Sequence, residues 1–312
     1  MAYRLRPQEA VTQGLRRLAK KELRAARDEL RRATPPRDEA IHEARKSVKK
    51  VRAILELIEV DGGRAAAGCS KRLRTVNRTL SGLRDADAMV NVLTTLRGKN
   101  AHVLDEHTFA RIRRRLLSHK QAAIEAAERE GAWKKVDREL RSLRRDAKRW
   151  RPSHRRFGAF ARSIRLSHRR GRKTMVRARK SQRAADFHAW RKRMKALWYE
   201  LRLVERAGRA VRQNVAVLHR AETWLGEDHN LEVLCTELSK DVSVCGGAVD
   251  FDRLRLAADR YQCQLREKAV AATKRIYGRK SGVYVRGVKR AWQTWQRHRR
   301  TRRTQRPRRR AA

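Results

Sequence analysis

The 312-residue chain has few of the residues that interrupt helices, with 5 prolines, 16 glycines and 5% aromatic residues. Its four cysteines form no Cys-x-x-Cys pair, which argues against a zinc site or a disulfide framework. No apolar run reaches the roughly 18 residues of a transmembrane helix, and the N-terminus has no apolar segment of the signal-peptide kind. We therefore expect a cytoplasmic protein with reduced thiols, no membrane partner, no metal and no other cofactor.

Acidic residues are also scarce. The chain has 82 lysines and arginines but only 33 aspartates and glutamates, which gives a formal net charge of +49. A compact chain this basic repels itself, so a polyanionic partner is expected. Hydrophobic residues make up 40%, enough for a core. Alanine, leucine, arginine and lysine dominate in long amphipathic runs, and no period-2 alternation is long enough to indicate a sheet. The sequence predicts an all-α fold.

A basic motif occurs twice, once from His42 and once from His188, and both copies read His-x-x-Arg-Lys-x-x-Lys. At about 100° per residue, each copy places its histidine and cations on one helix face, opposite an apolar face. The first stripe comprises His42, Arg45, Lys46, Lys49 and Arg52, and the second His188, Arg191, Lys192 and Lys195, joined by Tyr199 and Arg202. A duplicated motif indicates a duplicated structural unit.

The order of elements repeats after Arg151-Pro152-Ser153, which predicts two halves, 5–150 and 151–296. In each half an acidic break is expected to follow the helix after the motif, at Asp85 and Asp87 and again at Asp228 and Asn230. The arginine-rich segment 297–312 is expected to be a disordered cationic tail. Helices are predicted over about 8–32, 38–60, 64–83, 107–129, 154–180, 184–207, 209–224, 249–277 and 283–297, with a further short helix after Gly131 that ends at about 150.

Two further helices carry cationic stripes, so each half contains two. Cations spaced two or three to a turn repel one another, so such stripes favour a bound counter-charge. With few aromatic rings to stack bases, a groove of Arg, Lys and His suits a chain of phosphates better than a nucleic acid. The additional stripe of the first half is Lys71, Arg74 and Arg78, and that of the second is Arg162, Arg165, Arg169, Arg172 and Lys173.

Five segments together are specific to one known family: Ile41–Lys46 with Lys49, Leu80–Asp87, Ser167–Lys173, Phe187–Tyr199 and Leu225–Leu231. Through them the chain resembles the CHAD domain, the conserved histidine α-helical domain, over roughly 5–296. The resemblance implies two helical-bundle halves related by pseudo-twofold symmetry, with basic residues lining a central cavity. It also implies inorganic polyphosphate as the ligand and association with polyphosphate granules.

The resemblance further implies which residues contact the ligand. One departure is His168, where the family usually has tyrosine. The Glu-x-Glu-x-Lys signature of the triphosphate-processing domain that sometimes accompanies the family is absent, so the chain resembles a stand-alone module, and without a recognised metal motif we expect no enzymatic activity. The implied contacts are His42, Arg45, Lys46, Lys49, Arg52, Arg169, Arg170, Arg172, Lys173, His188, Arg191, Lys192 and Lys195.

Two other functions stay open at this point. A histone-like protein would bind nucleic acid non-specifically through residues 297–312, whereas a polyphosphate binder would use the internal stripes. A metal-dependent phosphohydrolase would use Asp85, Asp87, Asp228 and the two motif histidines. If the histidines contact phosphate, binding is expected to tighten below about pH 6.5. The sequence leaves ligand length, oligomeric state and cellular role open.

Overall fold

The structure, a computed structural model, describes residues 3–6, 9–32, 38–81, 85–100, 104–154 and 156–304, with backbone only for residues 85–86 and 298–304. Every regular element in these residues is a helix, which confirms the all-α prediction. Up to residue 150 the helices are α1 (Val11–Leu30), α2 (Asp38–Val60), α3 (Ala67–Thr79), α4 (Asp85–Lys99), α5 (Glu106–Arg129) and α6 (Ala132–Asp146). A 3₁₀ turn, Arg64–Ala66, leads into α3.

Beyond residue 150 the helices are longer. They are α7 (Gly158–Ser181), α8 (Ala184–Leu203), α9 (Arg209–Leu238), α10 (Ala248–Tyr277) and α11 (Ser281–Thr304). Two short 3₁₀ turns connect these helices. Glu205–Ala207 lies between α8 and α9, and Val242–Cys245 lies between α9 and α10. Among the described residues, every helix is too short or too polar to cross a lipid bilayer.

The two motif helices belong to two helix pairs that meet. Helix α1 packs along α2, and α7 packs along α8, while α2 also contacts both α7 and α8. The cause is the apolar face opposite each cationic stripe, since Val48, Val51, Trp190 and Met194 are buried. This packing places the two copies of the basic motif on neighbouring helices.

Hydrophobic packing crosses the predicted boundary at residues 150 and 151. The larger core cluster joins Leu15 and Leu55 with Phe160 and Trp190, and the smaller joins Leu93 with Leu231. The buried carboxylate of Asp61 at the end of α2 accepts a hydrogen bond from the backbone N–H of His154 and lies 2.6 Å from its Nδ1. The two predicted halves therefore share their cores.

Two predicted element boundaries differ from the structure. The break expected in the second half is wrong, because α9 runs without interruption through Asp228 and Asn230. In the first half, α3 and α4 are separate helices, and residues 82–84 between them lie outside the described residues. Helix α11 continues past the expected start of the tail at 297 to Thr304, and residues 305–312 lie outside the described residues.

Candidate anion-binding site

Four motif cations, two from each copy, come together between α2, α8 and α9. Arg191 Nη2 lies 2.8 Å from Glu222 Oε1, and Lys195 Nζ donates to the same oxygen. The charges of Arg45, Arg191, Lys195 and Glu222 all act on Lys49. We call Arg45, Lys49, Arg191 and Lys195 the cation cluster, and its central carboxylate belongs to Glu222.

Burial and the neighbouring cations disfavour positive charge on both lysines of the cation cluster. Burial is the main cause that lowers the pKa of Lys49 to about 7, and the charges of Lys195, Arg45 and Arg191 contribute to the same change. Burial also lowers the pKa of Lys195, although Glu222 opposes that change. Burial alone would raise the pKa of Glu222, but Lys195 and Arg191 outweigh it and hold that pKa below its ordinary value. The electrostatics therefore favour an additional anion.

The two motif arginines also hold their helices to a neighbouring helix. Arg45 is buried, and its Nη1 donates to the carbonyl oxygens of Leu80 and Ser81, 3.1 Å from each, at the end of α3. Arg191 Nε donates to the carbonyl oxygen of Glu222 on α9, at 3.3 Å. These contacts give both arginines a structural role in addition to the predicted ligand contact.

Gly226 permits the close approach of Arg191 to α9. A Cβ atom at this position would lie 3.0 Å from Arg191 Nη2 and 3.3 Å from its Nε. Gly226 also belongs to the Leu225–Leu231 segment that carried the family resemblance. The glycine of that segment and the arginine of the motif thus form one contact.

The motif histidines have different environments. His188 packs against His229 of α9, with ring centroids 3.7 Å apart. Burial, His229 and Lys192 lower the pKa of His188 to about 3, and burial and Arg191 lower that of His229 to about 4. His42 Nε2 lies 3.8 Å from Glu43 Oε1. Both rings of the His188–His229 pair are therefore neutral near pH 7, beside Lys192 and Arg191.

His168, the departure from the family pattern, is fully buried. Its two ring nitrogens lie 2.9 Å from Ser281 Oγ and from the carbonyl oxygen of Ile276. The ring also stacks on Tyr284, with centroids 4.3 Å apart. His168 therefore links α7 to α10 and α11.

The remaining predicted contacts lie outside the cation cluster in the described structure. Lys46 is exposed and forms an ion pair with Glu43 at 2.6 Å, while Arg52 lies 3.4 Å from Glu56. The other predicted cations are exposed on α3 and α7, and the described contacts do not bring them to the cluster: Arg74, Arg78, Arg165, Arg169, Arg170, Arg172 and Lys173.

The sequence predicts Tyr199 on the polar stripe of the second motif helix, and this prediction is wrong. Tyr199 is buried, and its ring meets Tyr3 edge-on, with centroids 6.1 Å apart. The guanidinium of Arg202 lies over the rings of Tyr3, Trp198 and Tyr199. The reason is that the N-terminal segment packs here, with the N–H of Leu5 donating to the carbonyl oxygen of Leu203.

Three residues of the site were not predicted from the sequence: Glu222, His229 and Gly226. His229 and Gly226 stand in the Leu225–Leu231 segment, so that segment carried a signal. Glu222 precedes the segment in Ala221-Glu222-Thr223, where a single glutamate forms no pattern.

The acidic residues considered for metal chemistry have cationic partners. Asp87 Oδ1 lies 2.8 Å from Lys120 Nζ, and Asp228 Oδ1 lies 2.6 Å from Arg266 Nε. The side chain of Asp85 lies outside the described ones. Within the described part of the chain, His, Cys, Asp and Glu form no group of three placed to hold a metal ion.

Two surface cavities lie away from the cation cluster. One, of about 570 Å³, lies along α5 at Phe109 and Leu117. The other, of about 590 Å³, lies beside the Gly62-Gly63 turn and is basic. We call the latter the peripheral basic pocket, and its cations are Arg16, Arg64, Lys148, Arg149 and Arg151.

Comparison with known proteins identifies the class of this helical protein. The CHAD domain model matches residues 9–239, and the chain belongs to that family. A crystal structure of the CHAD domain from the plant Ricinus communis aligns with a TM-score of 0.61 and 15% identity, covering 93% of this chain and 95% of that one. PptA from Streptomyces chartreusis aligns with a TM-score of 0.54 and 14% identity, covering 91% and 100%. No match was found among curated protein sequences.

Proposed function

We propose that the protein binds inorganic polyphosphate, without catalysing a reaction, at the cation cluster between the two motif helices. The observation that carries this proposal is that both copies of the motif supply cations to one site around Glu222. Phosphate oxygens accept hydrogen bonds from arginine and attract lysine as a point charge. A flexible chain of phosphates would meet cations of both copies at once.

The neutral histidine pair extends this site along α8. His188 and His229 lie next to Arg191 and Lys192, so a phosphate bound there would meet imidazole N–H donors as well as positive charge. A bound anion favours the protonated imidazole and would raise both lowered pKa values. The proposed ligand path therefore runs from Lys49 and Lys195 past Arg191 to the histidines.

The finer architecture belongs to the same proposal. Two halves related by pseudo-twofold symmetry would each contribute one motif helix and one further stripe to a central basic channel. The exposed cations of α3 and α7 would then form its outer walls, reached by a long ligand. Association with polyphosphate granules would follow from binding of the granule's own polymer.

Nucleic acid is the main alternative, and the placement of the aromatic residues argues against its single-stranded form. No tryptophan, tyrosine or phenylalanine is exposed; all of them lie in the described parts of the chain. Single-stranded nucleic acid is held largely by bases stacked on exposed rings. Phe109, Trp133, Trp224 and Phe251 are half-buried and the other rings are buried, which favours a ligand without bases, while residues 305–312 could still add non-specific affinity for nucleic acid.

A competition titration tests the proposal. Labelled long-chain polyphosphate is bound to the full chain and to residues 1–304, a truncation that leaves α11 whole. It is then challenged with duplex DNA, RNA and short phosphates at about 0.15 M salt, where exposed charges are largely screened. We expect polyphosphate to persist against a large excess of nucleic acid with both proteins.

The opposite result has an equally clear meaning. If DNA displaces polyphosphate at equal phosphate concentration, the protein is a general polyanion binder. If binding is lost on truncation at residue 304, the C-terminal segment is responsible and the cation cluster is not the site.

A further inference from the structure

Glu222 lies where an anion would be expected among these cations. It is 6% exposed, in the middle of α9, and a single oxygen, Oε1, accepts from both Arg191 and Lys195. Burying a carboxylate is costly unless cations pair with it. The geometry explains why the carboxylate is stable there, since it is held by one motif copy and its charge reaches Lys49 of the other.

We propose that Glu222 is a built-in counter-anion, whose carboxylate occupies the place of a phosphate oxygen until a multiply charged phosphate displaces it from Arg191 and Lys195. The identity of the displacing ligand rests on the proposed function. The role of the carboxylate in the ligand-free protein rests on the contacts of α8 and α9 alone.

A tethered carboxylate makes the site selective. Because the carboxylate is attached to the protein, its effective concentration at the site is high, and a small free anion must exceed that concentration to replace it. Orthophosphate that replaces it gains only the two contacts that Glu222 gives up. A polyphosphate also reaches Lys49 and Lys192, so it gains contacts that the carboxylate does not make. Glu222 therefore weakens the binding of short phosphates more than the binding of long ones.

Two substitutions at this position and one matched control separate this role from a general charge effect. Glu222→Gln removes the charge and keeps the size, while Glu222→Asp keeps the charge on a shorter side chain. Glu232→Gln is the control, since Glu232 lies on the same helix and pairs with Arg255, at 3.2 Å. Glu222→Gln and Glu232→Gln change the net charge equally.

The first measurement is thermal melting of the ligand-free proteins with and without sulfate. We expect Glu222→Gln to melt below Glu232→Gln, because its cations lack their counter-charge, and sulfate to recover that loss selectively. Equal melting of the two variants in both conditions would overturn the proposal. If Glu222→Gln does not fold, Glu222→Asp takes its place, with a smaller loss and the same sulfate response.

The second measurement is the affinity for orthophosphate, tripolyphosphate and long-chain polyphosphate. We expect Glu222→Gln to bind orthophosphate about tenfold more tightly than Glu232→Gln does, with a smaller gain for the long chain. Unchanged or weaker orthophosphate binding would contradict displacement. If the unsubstituted protein binds no phosphate at all, the proposed function fails, and the sulfate response alone decides whether Glu222 is a counter-anion.

Discussion

At the scale of single residues, Lys49 departs most from ordinary chemistry among the motif cations. Its pKa is about 7, against 10.5 for an unperturbed lysine, because burial and neighbouring cations disfavour its charged form. Between these two values the unfolded chain binds more protons than the folded one, so the stability of the ligand-free protein rises with pH. Below about pH 7 the full destabilising contribution is present, and a bound anion relieves it.

Ligand binding should therefore take up a proton at Lys49. At pH 8 the side chain is mostly neutral in the free protein and becomes protonated beside phosphate, so we expect uptake of about one proton. Calorimetry in buffers of different ionisation enthalpy measures it. Lys49→Met should abolish most of the uptake, whereas Lys46→Met, on the exposed part of the same stripe, should not. A binding enthalpy independent of buffer would contradict this prediction.

The histidine pair acts in a different pH range from the one expected from sequence. With pKa values of about 3 for His188 and about 4 for His229, both rings stay neutral in the free protein at pH 6.5. An unfolded histidine protonates near pH 6.5, so the buried pair destabilises the fold progressively as the pH falls below that value. As the pH is lowered from 10, Lys49 therefore becomes protonated before His188 and His229 do, and it is the first of the three to strengthen binding.

At the scale of helices, the periodic pattern predicted most elements but not the continuity of α9. Local pattern places an acidic break near Asp228, but the structure has a continuous helix there, and Arg266 on α10 pairs with that buried carboxylate. Gly226 lies inside the same helix, and the side chain of Arg191 packs where a larger residue would have its Cβ atom. Both partners lie far away in the sequence, so no local reading could have identified them.

The candidate site was predictable to a similar extent. A repeated motif places Arg45, Lys49, Arg191 and Lys195 on equivalent helix faces, and the packing of α2 against α8 brings them together. The buried partners of the arginines and the central carboxylate depend on α3 and α9, so the motif alone did not indicate them. The outer stripes rest on periodicity alone, and the described contacts leave those residues separate from the cluster.

Gly226→Ala tests how strongly α9 and Arg191 depend on each other. Replacing a mid-helix glycine by alanine ordinarily stabilises a helix by about 1 kcal/mol. At Gly226 the new methyl group would lie 3.0 Å from Arg191 Nη2, so the guanidinium must move and its bonds to Glu222 weaken. We expect no stabilisation, or a net loss, in urea unfolding, together with weaker polyphosphate binding.

Gly287→Ala is the matched control for that substitution. Gly287 lies within α11, and an added Cβ atom would meet nothing within 4 Å. It should therefore gain the full stabilisation of about 1 kcal/mol and leave binding unchanged. Equal gains at both glycines would mean that Arg191 moves aside at no cost and that its contact with α9 is dispensable.

At the scale of the whole molecule, the charge of +49 raises the question of whether binding is local or diffuse. A diffuse field attracts any polyanion and weakens as salt screens it, whereas charges that are partly buried in one cluster are screened much less. The peripheral basic pocket allows a direct comparison, because it also gathers several cations but lies on the surface beside the Gly62-Gly63 turn.

Two triple variants of equal formal charge make that comparison. Replacing Lys49, Lys192 and Lys195 by glutamine removes three basic side chains from the cluster and its extension, while sparing the arginines that hold α2 and α8 in place. The matched variant changes three exposed cations of the peripheral basic pocket to glutamine: Arg64, Lys148 and Arg151. Circular dichroism should show unchanged helicity in both.

The two variants should differ sharply in affinity for long-chain polyphosphate. At about 0.15 M salt the screening length is about 8 Å, so distant surface charges contribute little, and the peripheral variant should lose less than about threefold. Hydrogen bonds to charged groups contribute about 1.5–3 kcal/mol each, so the cluster variant should lose at least about a hundredfold. Equal losses would show that total charge, rather than the convergence of two motif helices, holds the polyanion. A larger loss in the peripheral variant would place the ligand beside the Gly62-Gly63 turn instead.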